Sequence, residues 1–181
     1  MALGVSVTFA YCRLLALLEP EFAPFAAHQG VDLARAAAVA WSADAVLVYV
    51  ENDEAVDGQG GAVRWGYLFY SPALDKSRAY SVRDGKIVTA ENLEIRFEAP
   101  PLADGWLDSG AAIAAVEREA GKSLAKNAGI RLSNMLLMRG PFQDGDPDRT
   151  AWTLIYTIPN APALFVMVDA VDGKVRRSWR G

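Results

Sequence analysis

The residue types that usually carry chemistry are sparse in this 181-residue chain, which has one cysteine, Cys12, and one histidine, His28. A Cys-His nucleophilic pair could be built only from those two, and both lie in the N-terminal segment. A lone cysteine is more often a small buried hydrophobe, and His28 reads as a surface or capping residue. Four-coordinate zinc needs several such ligands, so carboxylates alone remain for a metal. Asp144, Asp146 and Asp148 alternate like the start of a calcium loop, but its sixth position would be Arg149 and its twelfth Ile155, which fits a solvated hairpin loop. Gly121-Lys122-Ser123 lacks the glycine that a phosphate loop needs five residues earlier, where Val116 stands, and it follows a helix instead of opening one. It reads as a helix C-terminus with a glycine stop and a lysine near the negative end. Gly58-Gln59-Gly60-Gly61 leads into a strand and so lacks the helix N-terminus that holds a phosphate. No cofactor and no metal is expected.

The carboxylates Asp169 and Asp172 could serve a small acid-base enzyme, the principal catalytic alternative. Asp169 precedes a turn by three residues and Asp172 lies within it, so they are expected on opposite strand faces, with no further acid, base or nucleophile converging. Eighteen Lys and Arg against 22 Asp and Glu give a net charge of −4, which disfavours attraction to phosphate and argues against nucleic acid. The basic, aromatic tail Arg176-Arg177-Ser178-Trp179-Arg180 fits a solvated final strand.

The elements that would position any site follow from periodicity. Asp32 offers an N-cap to a helix with Leu33, Ala36, Ala37, Ala40 and Trp41 on one face, and Asp108 or Ser109 to a second with Ala112, Ile113, Val116 and Ala120, stopped by Gly121. Small side chains allow both to lie close on a sheet. Val46–Val50 and Met135–Met138 read as strands, each followed by a loop rich in Gly, Asp or Pro. Two longer segments then match in order. Trp65 to Pro72 aligns without a gap on Trp152 to Pro159, and Asp84-Gly85-Lys86 aligns on Asp172-Gly173-Lys174 with one insertion, which marks a duplication. The Asp-Gly pairs signal tight hairpins. Glu91–Glu98 adds a strand with Leu93, Ile95 and Phe97 on one face, and Pro100-Pro101 ends it.

The closing run Phe165-Val166-Met167-Val168-Asp169-Ala170-Val171-Asp172-Gly173-Lys174-Val175, after an alanine-rich helix, resembles the end of PepSY domains. The resemblance covers residues 108–176 well and 31–90 weakly. It implies a cystatin-like helix-on-sheet fold and a binding, regulatory or protease-inhibitory role outside the cytoplasm, with no catalytic set.

The expectation is an α+β protein of two tandem PepSY-like units, residues 31–99 and 108–181, each a helix on an antiparallel sheet, with an apolar segment, 1–30, packed on the body. The first 18 residues are apolar except for Arg13, a poor match to an export signal and a poor membrane span. The compartment is therefore left between cytoplasm and exterior. Alternation places Trp65, Tyr67 and Phe69 toward the helix and Arg64, Leu68, Tyr70, Thr153 and Thr157 on the other face, the expected surface for a protein or small ligand. The strand 164–171 is apolar on both faces, so it should be covered on both, by the other unit, the N-terminal segment or a second subunit in a homodimer. A structural subunit of a larger assembly is the third functional class.

Overall fold

A computed structural model describes residues 22–93, 97, 99–124, 127–143 and 146–181. Cys12, Arg13 and Asp144 lie outside the described residues, as does most of the apolar N-terminal segment. The elements run α1 (His28–Trp41), β1 (Val46–Asn52), β2 (Trp65–Ser71), β3 (Lys76–Arg83), β4 (Lys86–Asn92), α2 (Ser109–Leu124), β5 (Arg131–Gly140), β6 (Arg149–Ile158), β7 (Ala161–Asp169) and β8 (Val175–Arg180). The protein is α+β. Its eight strands form one antiparallel sheet in the order β4-β3-β2-β1-β5-β6-β7-β8, so the first strand after each helix meets the other at the centre.

Both helices lie on one face, α1 against β2 and β3 and α2 against β6, β7 and β8. Between them and the sheet sits the main core, with Trp65, Tyr67, Phe69, Trp152, Leu154, Val166 and Val168 pointing inward. Trp65, Tyr67 and Phe69 thus face the helices as alternation requires. α2 buries Ala112, Ile113 and Val116, the stripe expected of it. Its end differs, because Gly121 keeps helical geometry and the helix continues to Leu124.

α1 departs further from expectation. It begins at His28, inside the segment assigned to 1–30, and buries Gly30, Val31, Ala34 and Ala38 while Leu33, Ala36 and Ala40 are exposed. An alanine-rich helix has apolar side chains all round, so its phase is decided by the sheet. Gly30 fixes it, since a Cβ there would overlap the Tyr67 hydroxyl, which donates to the Ala27 carbonyl at 2.6 Å. The helix needs no local cap at Asp32. Asp108 Oδ1 accepts the His28 N–H at 3.0 Å and Ser109 Oγ the Ala27 N–H at 3.1 Å, both from the start of α2.

Asp84 and Gly85, at φ 49° and 64°, make the expected two-residue hairpin between β3 and β4. The second Asp-Gly pair lies in a longer loop from Ala170 to Lys174, because Asp169 Oδ1 accepts the N–H groups of Val171 and Asp172 and holds it open. β7 therefore ends at Asp169, and Val171, expected on a strand face, is exposed. β4 covers Lys86–Asn92; of the strand expected over Glu91–Glu98, Glu94, Ile95, Arg96 and Glu98 lie outside the described residues, while Leu93, Phe97 and Ala99 pack on the second face of the sheet.

Candidate binding site on the open sheet face

Away from the helices, a smaller apolar cluster forms on the sheet. Val48, Leu68 and Tyr70 are buried there beneath Val46, Tyr49, Ala79, Leu93, Phe97 and Ala99. A bulge between Leu47 and Tyr49 lets Leu47 and Val50 both serve the main core while Val48 and Tyr49 serve this face. Beside the cluster lies a groove of about 490 Å³, within the size range of ligand sites, with Tyr49, Leu68, Phe97, Leu136 and Met138 along it. Tyr49 and Phe97 meet edge-on, with ring centroids 6.1 Å apart.

Pairing register makes the groove part of a longer row. Ser81, Gly66, Glu51, Leu136, Thr153, Met167 and Arg177 are successive cross-strand neighbours from β3 to β8. One end is acidic. The Tyr49 hydroxyl donates to Glu51 Oε2 at 2.9 Å, and burial together with the Glu51 charge pushes that hydroxyl well above its ordinary pKa, so it remains a donor. The Asp53 carboxylate lies over Gly66, where an added Cβ would come within 2.6 Å of Oδ1, and accepts the Ser81 hydroxyl. Arg64 sits 3.3 Å from Asp53 and 3.6 Å from Glu54, and Arg83 pairs with Glu54. Among the described residues Glu51 pairs with no cation. The other end is cationic, with Arg177 5.0 Å over Trp179, which stacks on Phe165 at 5.2 Å.

The five residues expected on this face are found there in different circumstances. Leu68 lines the groove and Arg64 belongs to the ion cluster beside it. Thr153 is buried between Leu136 and Met167. Thr157 is exposed near the end of β6, its hydroxyl 3.4 Å from the Arg131 carbonyl. Tyr70 is only 7% exposed, and its hydroxyl donates to Asp75 at 2.7 Å, so it supports the groove from below instead of presenting a surface. Sequence reasoning missed Tyr49, Glu51, Leu136, Met138 and Phe97. The apolar alternation of β1 and β5 held part of that signal, but the meeting of those strands had no local marker.

The two carboxylates considered for acid-base chemistry are engaged in structure. Asp169 and Asp172, expected on opposite faces, both reach Arg176, because the loop folds Asp172 back; Arg149 joins Asp169 at 3.1 Å. Burial raises the Asp169 pKa, but the N–H groups of Val171 and Asp172 and the Arg176 guanidinium outweigh it and hold it below the ordinary value. His28, Asp108 and Ser109 lie together, yet the buried Ser109 hydroxyl donates to the Gly60 carbonyl at 2.7 Å while accepting from Ala27. Its role is to tie the helix starts to the Gly60 loop. No group of three or more His, Cys, Asp or Glu is placed to hold a metal ion among the described residues, and no helix there is long and apolar enough to cross a membrane.

No family model matches this chain, and no curated protein matches it. A solved structure does share the fold. The crystal structure of a "putative lipoprotein" from Clostridium difficile 630 superposes with a TM-score of 0.55 at 12% identity, covering 91% of this chain and 98% of the other. At that identity the likeness is one of fold.

Proposed function

We propose that this protein is a non-catalytic binding or regulatory module that holds a protein partner on the open face of its sheet. The groove carries the reading: apolar side chains and an acidic end lie on a sheet face that no helix covers among the described residues. We further propose that the chain is two tandem PepSY-like units, α1 with β1–β4 and α2 with β5–β8, fused through β1 and β5. The matched Trp, Pro and Asp-Gly-Lys landmarks and the equal element order support that division. The family resemblance, and the description of the fold neighbour as a lipoprotein, favour a location outside the cytoplasm.

The test is affinity capture followed by direct binding between purified proteins. A captured partner should bind the native chain and lose affinity for Leu136→Asp, which buries a carboxylate in the groove, while binding Val171→Asp, on the exposed loop, unchanged. A purified partner that binds Leu136→Asp as tightly as the native chain would show that the face is elsewhere.

A further inference from the structure

The acidic end of the groove states what kind of side chain a partner must bring, an inference that rests on the binding reading above. Three carboxylates, Glu51, Asp53 and Glu54, gather where β1 ends and β2 begins, and among the described residues two cations, Arg64 and Arg83, answer them. Both cations are committed to Asp53 and Glu54. Among the described residues Glu51 has only the Tyr49 hydroxyl, which satisfies one carboxylate oxygen. Glu51 is also the one acid whose cross-strand neighbour, Leu136, is an apolar wall of the groove. A partly buried carboxylate beside apolar surface favours a cation whose aliphatic stem can lie on that surface.

Position along the row gives the preference a direction. From Glu51 the row passes Leu136, Thr153 and Met167 before it reaches Arg177, four strands away, or roughly 19 Å at the usual strand spacing. A cation is therefore complementary at the β1 end and repelled at the β8 end. Between them Thr153 and Met167 are buried, so the accessible groove ends at Leu136 and Met138, where about 490 Å³ suits a cationic side chain and an apolar neighbour on one chain segment.

The geometry points to a protein segment that sets a Lys or Arg on Glu51, with its stem on Leu136 and Met138 and a neighbouring apolar side chain in the groove beside Tyr49 and Phe97. The Asp53 carboxylate over Gly66, held by Ser81 and Arg64, extends the negative field without competing for the cation.

Phage-displayed random heptapeptides selected on the immobilised chain are the probe. Peptides selected on the native chain should be rich in Lys or Arg next to an apolar residue. On Glu51→Gln the cation should disappear from the consensus while the apolar residue stays, and on Glu51→Lys an Asp or Glu should replace it. Arg177→Gln, at the far end, should select the same cation as the native chain. A selected peptide should bind the native chain at least about tenfold more tightly than Glu51→Gln, as expected for a charge-assisted contact, and the difference should shrink with salt. Apolar peptides without a cation, displaced by Leu136→Asp, would overturn this inference and leave the binding face standing. Selected peptides indifferent to Leu136→Asp would overturn both. So would a native chain that elutes as a dimer and becomes a monomer with Leu136→Asp, since a second copy would then fill the groove.

Discussion

The indoles of Trp65 and Trp152 meet edge-on at the centre of the core, 6.0 Å between ring centroids and 70° between planes, and both are fully buried. Each donates its N–H to a carbonyl just ahead of a helix, Trp65 to Phe25 at 2.7 Å before α1 and Trp152 to Leu107 at 2.6 Å before α2. The two sides of the sheet thus share one aromatic contact, and each side fastens its own helix start in the same way. This equivalence supports the tandem reading and means that neither side has a core independent of the other.

Cooperative unfolding follows from that contact. Trp152→Ala should cost about 3–5 kcal/mol, the usual range for truncating a buried aromatic, and should lower the stability of the whole chain. Trp152→Phe keeps most of the volume but strands the Leu107 carbonyl, at roughly 1–3 kcal/mol. Urea titrations followed by far-UV circular dichroism and by fluorescence should coincide for the native chain and both variants. Separate transitions for the two sides would contradict a shared core.

Asn52 should control the central seam. β1 and β5 pair directly only from Tyr49–Met138 to Glu51–Leu136. Beyond that point the buried Asn52 side chain substitutes for the ladder, accepting the Met135 N–H at 2.6 Å and donating to the Glu54 and Ser133 carbonyls. Asn52→Leu is close in size and offers none of these bonds, so it should lose roughly 1–3 kcal/mol by stranding the buried Met135 N–H. Faster amide exchange at Met135 would report the same event locally, whereas protection equal to the native chain would show that the amide has another partner.

Gly66 and Asp53 should behave as a coupled pair. Gly66→Ala places a methyl 2.6 Å from Asp53 Oδ1 and must displace the carboxylate from Ser81 and Arg64. Asp53→Ser removes the obstacle. The double variant should therefore be less destabilised than the sum of the singles, with a coupling of roughly 0.5–3 kcal/mol measured by urea denaturation. Additive losses would mean that the carboxylate does not rest over Gly66.

How much of this could be read from sequence depended on how local its cause was. The inward face of β2 and β6, the stripe of α2 and the Asp84-Gly85 hairpin are set by neighbours in the chain and followed from alternation and turn chemistry. The start of α1 did not, because its caps come from Asp108 and Ser109, roughly eighty residues on. Leu93 and Phe97 showed the alternation of a strand, and that pattern serves equally a segment that presses apolar side chains onto a sheet. The groove was half legible: Leu68 fell on the correct face, whereas Glu51 and Leu136 became neighbours only through the β1–β5 pairing.

Asp44 should make the protein acid-sensitive in a defined window. Its carboxylate accepts the Ser42 and Ser71 hydroxyls at 2.6 and 2.7 Å and the Ala73 N–H at 2.6 Å, joining the end of α1 to the end of β2. The Ser42 bond first, then those from Ser71 and Ala73, lower its pKa from 3.8 to about 2. A carboxyl more acidic in the folded than in the unfolded chain stabilises the fold above its unfolded pKa, and that contribution fades as pH falls through the folded value. Asp44→Asn removes the charge at every pH. The gap in urea midpoint between the native chain and Asp44→Asn should be constant above about pH 5 and should narrow as pH falls from 3.8 to about 2. A gap that stays constant across this interval would show that the ionised carboxylate is not what holds these two elements together.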